Sequence, residues 1–530
     1  MAINPKILAV TTNTGDRSEL PPAGVTCIVG GNNVGKSQLL RDIVMLLETL
    51  EGVPKVLTSV ELTREPAPDL GTTEAWLRDN STIVEQQTGI VHYQPMSGGP
   101  ALTSQQFHGQ IAQGGFFLGP ARSFYCWHAD GGSRVTLGDG IGINVGMQNN
   151  PHPLAKVFRI GALEAKLSTV AKQAFGIGLT LDRVTGGTQL RLGEVVTEIP
   201  PFNNPTKEYT DAVEAMPPLQ HQGDGVRSFV GLALYVAAGP QSMLLIDEPE
   251  AFLHPSQAKA LGRWLASESI SSNRQVIVAT HSRDMVVGIL EAECEATVLR
   301  LTRAGNESHI HQLESEMLKE VWDSPVLRYS NVLDGLFYET VAICESDGDC
   351  RFYAAVLDGL KEAQEVDAVS GEVLFVPSGG KQGIPKFANT MSALDVKTFA
   401  IADCDVLRTK AVAKQILESL GGDWTGIEAD YQIVANAMNA NDGILWNSLK
   451  TVGLAIIPAG APSAAAARIV ENLRIQRFLV VPIGELESFD RTITADKPAW
   501  VAAMLEKSGH LNCEAARDFV RGMFNGQGVP

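Results

Sequence analysis

A glycine-rich segment near the N-terminus has the residue types and spacing of a phosphate-binding loop. Residues 30–37 match the pattern GxxxxGK[ST] and lie between an apolar run at 25–29 and a segment, 37–48, with helical hydrophobic spacing. Backbone N–H groups of such a loop and the positive end of the following helix can bind phosphate oxygens. The pattern predicts that Lys36 contacts the β- and γ-phosphates and that Ser37 ligates magnesium. The predicted nucleotide-binding residues here are Gly30, Asn32, Asn33, Gly35, Lys36 and Ser37.

Two adjacent carboxylates end an apolar run at 243–246. Asp247 is predicted to hold magnesium, directly or through water, and Glu248 to polarise the water that attacks the γ-phosphate. A solvated strand end is the alternative reading. Asp247 and Glu248 directly follow four apolar residues and precede Pro249-Glu250. This pattern is much rarer than an ordinary solvated strand end.

Two further features fit the same predicted site. His281 follows the apolar run 275–279, from which its ring could reach the γ-phosphate, with a capping or packing histidine as the alternative. Gly223 and Gly225 begin a predicted helix, 226–238, whose first N–H groups are free to bind an anion. We expect this helix start to contact ATP held by a second protomer, although by itself it would be an ordinary helix cap.

Four carboxylates in the C-terminal half have a second type of arrangement. Glu345 and Asp403 each follow an apolar run directly, Asp405 lies two residues further on, and Asp349 lies at the start of a predicted helix. In an open parallel sheet the carboxyl ends of the strands face one crevice, so these acids could converge on one or two magnesium ions. Such a site would support metal-dependent phosphoryl transfer. Unrelated acids at strand ends are the alternative.

Apolar runs and helical patterns alternate over much of the chain, which predicts an α/β fold with parallel sheets. A boundary is expected near residue 330, between units 1–330 and 331–530. A long insertion of helices and hairpins, which would carry dimerisation elements, is expected at about 50–220. A hairpin is predicted around Gly186-Gly187. The predicted strands of the second unit are 341–344, 373–376, 398–402 and 478–483, and its first predicted helix is 350–360.

Composition narrows the range of functions. The chain has 530 residues, 44% hydrophobic, and a net charge of −18, so contact with nucleic acid must be local or bridged by metal ions. Its seven cysteines form no CxxC pair, which is unlike a zinc cluster or a disulfide framework. Apolar stretches such as 229–238 are shorter than the ~20 residues that cross a bilayer. Without a recognisable secretory signal, we expect a cytoplasmic protein with no membrane partner.

The nucleotide-site residues resemble those of the ATP-binding-cassette ATPases, in the branch shared by chromosome-maintenance and OLD (overcoming lysogenization defect) proteins. The matching segments are 30–37 for Walker A, Asp247-Glu248-Pro249-Glu250 for Walker B, Leu253-His254-Pro255 for the D-loop and His281 for the switch histidine. The signature loop, 223–225, is a diverged form. Arg122 lies roughly in the region of the Q-loop, with a surface arginine as the alternative. Long heptad repeats between the Walker motifs are lacking, which argues against chromosome-maintenance arms.

The acids of the C-terminal half are similar to those of a Toprim domain, which would cover 341 to about 490. Glu345 and Asp403-Cys404-Asp405 match its glutamate and DxD pair, whereas Ser346 stands where the family usually has glycine. The resemblance implies a further acidic ligand after the last strand, and Glu487 is the candidate.

A lysine often assists in Toprim sites. Lys381 and Lys497 are the candidates, with a solvated lysine as the alternative for each.

Together the two halves resemble the whole OLD architecture. The resemblance implies an ATP-binding and ATP-hydrolysing endonuclease that uses Mg²⁺ or Mn²⁺ to cut DNA, or RNA, in anti-phage defence. It also implies a homodimer or higher homo-oligomer formed through the ATPase domain, and a separate defence-system partner could join it. The alternative function is an ATP-switched sensor or scaffold with an inactive Toprim domain that sequesters or releases a partner protein.

Overall fold

The computed structural model describes residues 4–49, 51–63, 67–85, 89–112, 118–142, 150–185, 187–195, 200–201, 204–292, 296–313, 323, 331–366, 372–440 and 444–524. The chain forms two compact units, Met1–Lys319 and Glu320–Pro530. The boundary expected near residue 330 lies outside the described residues.

The first unit is built around a six-stranded sheet with the order β13-β12-β3-β11-β10-β7. All neighbouring strands in it run parallel except β12 and β13, which form an antiparallel pair. A three-stranded antiparallel sheet, β2-β1-β4, and two hairpins, β5-β6 and β8-β9, complete the strands. The strands are β1 Ile7–Thr12, β2 Arg17–Glu19, β3 Gly24–Val29, β4 Leu57–Leu62, β5 Thr82–Glu85, β6 Val91–Gln94, β7 Cys126–Ala129, β8 Leu179–Asp182, β9 Gln189–Leu192, β10 Met243–Asp247, β11 Gln275–Ala279, β12 Thr297–Ala304 and β13 Glu307–Leu313.

The large sheet is covered on both faces. Helix Lys36–Glu48 packs Leu39, Leu40 and Ile43 into a core cluster that also contains residues of β3, β10 and β11. Every residue from 228 to 238 is buried in helix Asp224–Ala238, as expected for a helix enclosed on all sides. Because β3, β10 and β11 are buried along nearly their whole length, they are near-continuous apolar runs. The helices of this unit are Lys36–Glu48, Leu70–Asn80, Ser104–Ala112, Arg122–Tyr125, Gly131–Val135, Pro153–Arg159, Gly161–Phe175, Lys207–Glu214, Asp224–Ala238, Pro255–Ser271 and Arg283–Leu290, with 3-10 turns at Gly119–Ala121 and Leu219–His221.

The range 50–220, predicted to be a long insertion, holds helices and the two hairpins, and it also adds strands to both sheets. It contributes β4 to the small sheet and β7, paired in parallel with β10, to the edge of the large sheet. These strands were not predicted, because with six and four residues they are too short to give a clear hydrophobic pattern. The predicted hairpin is confirmed as β8-β9, whose turn contains Gly187, while Gly186 lies outside the described residues.

The second unit contains a four-stranded parallel sheet with the order β15-β14-β16-β17. Its strands are β14 Thr340–Cys344, β15 Val373–Pro377, β16 Lys397–Ala402 and β17 Phe478–Val480. The last strand is shorter than the predicted 478–483, because Pro482 has no N–H to continue the ladder. The helices are Asp347–Glu362, Ile384–Ala393, Lys410–Ser419, Thr425–Asn439, Ile444–Val452, Ala461–Ile475, Lys497–Glu506, Gly509–Asn512 and Glu514–Arg521, with 3-10 turns at Asn331–Phe337, Cys404–Arg408, Gly453–Ile456 and Leu486–Phe489.

The α/β class with parallel sheets is therefore confirmed. In the described part of the chain, no single helix is long and apolar enough to cross a membrane, and one bent pair, Ile444–Ile456 with Ala461–Ile475, meets that test by length and composition.

Candidate functional site

The loop between β3 and helix Lys36–Glu48 has a backbone that requires glycine. Gly30 has φ +149° and Gly35 has φ +102°. A Cβ on Gly30 would lie 2.2 Å from the carbonyl oxygen of Leu301, so no larger residue fits there. Asn33, one of the predicted binding residues, also has a left-handed backbone, with φ 61°. The segment therefore forms the tight turn into a helix N-terminus that phosphate binding requires.

Lys36 lies inside this loop and donates to the carbonyl oxygens of Gly30 at 2.8 Å and Gly31 at 2.7 Å. The side chain is buried, and burial lowers the pKa of its ammonium to about 8, against the attraction of nearby acids led by Glu248. The two carbonyls accept from two of its three N–H donors. Phosphate oxygens would give the ammonium the anionic partner that the loop itself does not supply.

The two predicted magnesium ligands of the first unit contact each other. Ser37 Oγ donates to Asp247 Oδ1 at 2.9 Å. Strand pairing explains the contact: β11 pairs with both β3 and β10 in parallel, so their carboxyl ends lie at one edge of the sheet. A hydroxyl and a carboxylate are hard oxygen donors of the kind that Mg²⁺ prefers, so these residues fit the ion.

Glu248 and His281 lie next to each other, with Glu248 Oε1 3.5 Å from His281 Nε2. The Glu248 backbone is left-handed, with φ 48°, and its N–H donates to the carbonyl of Ala279 at 2.8 Å. Burial, followed by the charge of Lys36, lowers the pKa of His281, against the attraction of Glu248. The neutral imidazole is thus favoured, and it can accept or donate a hydrogen bond beside the carboxylate.

Glu250 connects these segments, a role that the sequence did not assign to it. Its Oε1 accepts hydrogen bonds from Thr280 Oγ1 at 2.7 Å and from the His281 N–H at 2.9 Å. Burial raises the pKa of this carboxyl group, and Oε2 is buried without a hydrogen-bond partner. Glu250 thereby fixes the backbone of the residue whose ring faces Glu248.

Arg134 is a second residue that the sequence did not identify. It is 1% exposed, and its Nη1 donates to the carbonyl oxygens of Asp247 and Glu248, both at 2.6 Å. The short motif Gly131-Gly132-Ser133 before it carries no signal for this contact.

The predicted signature helix starts at Gly223, which is the N-cap of helix Asp224–Ala238. A Cβ on Gly225 would lie 2.5 Å from the carbonyl oxygen of Phe252, in the turn after the acidic strand. Phe252 is 63% exposed. Arg122, the tentative Q-loop residue, forms an ion pair with Glu48 at 3.0 Å and makes no described contact with the acids.

The acids of the second unit lie at the carboxyl ends of β14 and β16. Glu345 Oε1 accepts a hydrogen bond from the backbone N–H of Asp403 at 3.0 Å, which joins the ends of the two strands. Burial raises the pKa of Glu345, and the charge of Asp405 raises it further. Burial also raises the pKa of Asp403 to about 8, even though the charge of Lys497 opposes the shift. In both carboxyl groups, the effect of burial on the pKa outweighs that of the nearby lysine charges.

Asp349 caps the helix in which it lies. Its Oδ2 accepts from the N–H and from Oγ of Ser346, both at 2.8 Å. Its Oδ1 accepts from Lys497 Nζ at 2.9 Å, and the same ammonium lies 3.9 Å from Asp403 Oδ2. Ser346, at the position where glycine was expected, therefore has a defined role as a capping residue.

Neither candidate lysine is simply solvated, so that alternative is wrong for both. Lys497 pairs with Asp349, and Lys381 Nζ donates to Asp405 Oδ2 at 2.7 Å. The loop that carries Lys381 is tied to the first acid, because the N–H of Gly380 donates to the carbonyl of Glu345 at 2.7 Å.

Glu487 lies in the 3-10 turn Leu486–Phe489, and its Oε2 is buried without a hydrogen-bond partner. Burial lowers the pKa of Lys497, but the charges of Asp403 and Asp349, followed by that of Glu487, raise it above its usual value, so the three acids act on one ammonium. No three acidic, histidine or cysteine side chains of the described ranges come close enough to hold a metal ion. The oxygen donors suit Mg²⁺ or Mn²⁺, whereas the carboxylates of Asp349 and Asp405 are paired with lysines.

Comparison with known proteins identifies relatives with a related sequence. Residues 214–286 match the family profile described as AAA domain, putative AbiEii toxin, Type IV TA system. The chain is 28% identical over 210 residues to the Old nuclease of Escherichia phage P2, covering 38% of this chain and 33% of that protein. It is 27% identical over 219 residues to the OLD nuclease of Thermus scotoductus, covering 39% of each protein. Over these stretches the chain is similar in sequence to OLD nucleases. The match spans only about a third to two fifths of the length of these OLD relatives.

A third relative is the uncharacterized protein MJECL11 of Methanocaldococcus jannaschii, 34% identical over 96 residues, which are 18% of this chain and 84% of that protein. Solved structures similar to this chain include an SmcHead bound to the C-winged helix domain of ScpA, at 13% identity and a TM-score of 0.35, covering 59% of this chain and 99% of that one. The SMC head domain from Thermotoga maritima is 12% identical with a TM-score of 0.30, covering 59% of this chain and all of the other. The α/β fold is defined by the strand order and pairing of the chain itself.

Proposed function

We propose that this protein binds and hydrolyses ATP in its first unit and cuts DNA phosphodiesters with divalent metal ions at a Toprim site in its second unit. The observation that carries the nuclease proposal is the hydrogen bond between Glu345 and the Asp403 N–H, which brings two strand-end acids to one edge of a parallel sheet. The raised pKa of Asp403 supports it, because a buried carboxylate without sufficient positive charge is suited to a cation.

In the first unit, Lys36 would contact the phosphates, and Ser37 with Asp247 would hold Mg²⁺. Glu248 would orient the attacking water and accept its proton, while His281 would contact the γ-phosphate. The Gly223 helix start would complete the site of a second protomer, which makes a homodimer the proposed assembly. ATP hydrolysis would then require two copies of this chain.

In the second unit, Glu345, Asp403 and Asp405 are the proposed metal ligands, with Asp349 and Glu487 as further ligands, and these side chains would have to move closer together to hold an ion. The ion, when bound, would activate water and stabilise charge on the phosphate. Lys381 and Lys497, which pair with Asp405 and Asp349, are the cationic side chains that would contact the phosphate backbone of the substrate. By family resemblance, we further propose that the cutting serves defence against phages.

The decisive test is nicking of supercoiled plasmid with Mg²⁺ or Mn²⁺, with and without ATP. We expect metal-dependent nicking that is lost in Asp403→Asn and Asp405→Asn, while ATP hydrolysis continues. Asp358→Asn, a change at a side chain that is 73% exposed on the same unit, is the matched control. If both site variants nick as the wild type does, the nuclease assignment is wrong.

A second candidate function is an ATP-switched sensor or scaffold with an inactive Toprim domain. It is favoured by the ion pairs of Lys381 with Asp405 and Lys497 with Asp349, which neutralise acids without a metal. This function predicts no nicking in any metal and an ATP-dependent change in oligomeric state that survives Asp403→Asn.

A further inference from the structure

Arg134 contacts the backbone that carries both proposed ATPase carboxylates. Helix Gly131–Val135 follows β7, the edge strand next to β10, and this places the guanidinium at the carboxyl end of the acidic strand. Nη1 donates to the carbonyls of Asp247 and Glu248, both at 2.6 Å. Nε is buried without a hydrogen-bond partner, so Nη1 makes the contacts that orient this side chain.

The contact matters because the backbone at Glu248 is unusual. With φ 48°, Glu248 has a left-handed backbone conformation, which residues other than glycine seldom adopt. Three hydrogen bonds hold it there: its N–H donates to the Ala279 carbonyl, and its own carbonyl accepts from Arg134 Nη1 and from the Ala251 N–H at 3.0 Å. Together they fix the peptide planes on both sides of the Glu248 Cα, and hence the direction of its carboxylate toward His281.

Arg134 also packs against the helix that begins at Gly223. A Cβ on Gly231, in the middle of that helix, would lie 2.8 Å from the Arg134 carbonyl oxygen and 2.9 Å from the Leu137 Cβ. The helix and the segment 134–137 can approach this closely only because residue 231 is glycine. A shift of the helix would therefore move the arginine that holds the acidic turn.

We propose that Arg134 is a positioning residue for ATP hydrolysis: it fixes the Asp247-Glu248 turn in its reactive orientation and transmits the position of the Gly223 helix to it. The proposal rests on the ATPase function proposed above. Arg134 acts through the backbone of the turn that carries Glu248, because its hydrogen bonds are to the carbonyls of Asp247 and Glu248. The main alternative is that Arg134 only fills a buried space and satisfies two carbonyls.

Arg274 is a matched control for that alternative. It is also buried, 7% exposed, and also donates to two main-chain carbonyls, those of Tyr235 at 2.9 Å and of Gly239. It precedes β11, at the opposite end of the strands from the acids. Replacement of either arginine removes hydrogen bonds to two main-chain carbonyls, of which Glu248 and Tyr235 each keep a backbone N–H donor, so both changes should lower the melting temperature to a similar extent.

The experiment compares Arg134→Gln and Arg274→Gln in the full-length protein. We expect Arg134→Gln to lower kcat for ATP hydrolysis at least tenfold with KM changed less than threefold, and Arg274→Gln to keep kcat within threefold. Gly231→Ala, which pushes on the Arg134 carbonyl, should reproduce the kcat loss if Arg134→Gln fails to fold. Equal loss of kcat in the two arginine variants, or no loss in Arg134→Gln, overturns the positioning role.

A double-mutant cycle separates action through Glu248 from a general loss of stability. Arg134→Gln added to Glu248→Gln should cause no further loss of hydrolysis, because the group that it positions is already inactive. A further tenfold loss in the double variant would contradict the proposal. A wild-type protein that binds ATP without hydrolysing it would overturn the ATPase function and the role of Arg134 together, a result distinct from equal loss in the two variants.

Discussion

Asp403→Asn should stabilise the second unit, and the effect should grow with pH. Burial raises the pKa of the Asp403 carboxyl from its usual 3.8 to about 8. The folded chain therefore keeps a proton that the unfolded chain releases above about pH 4, so the free energy of unfolding falls as pH rises from about 4 to about 8. Asparagine has no charge to bury and avoids this loss.

The pKa values set an upper limit on the effect. A difference of about four pH units, at about 1.4 kcal/mol each, gives about 6 kcal/mol above pH 8. The asparagine amide still has to be desolvated, while Lys497 keeps Asp349 as its partner at 2.9 Å. We therefore expect a net gain of about 2–4 kcal/mol at pH 8.5, and no gain at pH 3.5.

Hydrogen exchange of the β14 and β16 amides measures this locally, because a two-unit chain need not unfold in one step. Protection in Asp403→Asn should exceed that of the wild type by a factor that increases between pH 4 and 8, after correction for intrinsic exchange. Asp358→Asn, at an exposed side chain, should follow the wild type at every pH. If the difference in protection between Asp403→Asn and the wild type is the same at low and high pH, the reasoning that the buried Asp403 charge destabilises the fold is wrong.

Three further outcomes test the two sites. Glu248→Gln should bind ATP normally and hydrolyse it at least 100-fold more slowly, and sedimentation with ATP should show a dimer; a monomer at every nucleotide state would contradict the shared site. Lys381→Met should bind Mn²⁺ more tightly, about three- to tenfold by calorimetry, because the ammonium no longer competes for Asp405; unchanged or weaker affinity would show that the ion pair does not oppose the metal. Gly225→Ala should retain ATP binding and lose most ATP hydrolysis, because its Cβ would lie 2.5 Å from the Phe252 carbonyl; hydrolysis at the wild-type rate would show that the helix start can move freely.

Local patterns in the sequence predicted the elements that carry most of the chemistry. The apolar runs before the phosphate loop and before Asp247 are β3 and β10, and the carboxyl ends of β14 and β16 carry Glu345 and Asp403. These predictions depend on contiguous residues: an apolar run fixes a buried strand, and the residue after it lies at the sheet edge. The three-residue separation of Ser346 and Asp349 also has a local cause, since it is the spacing of a capping box.

The features that the sequence did not reveal depend on contacts between distant segments. Arg134 lies 113 residues before the carbonyl of Asp247 that it binds, and the unpredicted partner of the candidate Lys497 is Asp349, 148 residues before it. A lone arginine or lysine looks like a surface charge, because nothing in its neighbours tells which carbonyl or acid the fold will bring to it. In both units the consequence is the same: a strand end that presents acids also needs cationic donors to hold them, and these come from elsewhere in the chain. Cations that hold the acids in the absence of ligand are therefore the natural places at which ligand binding can change each site.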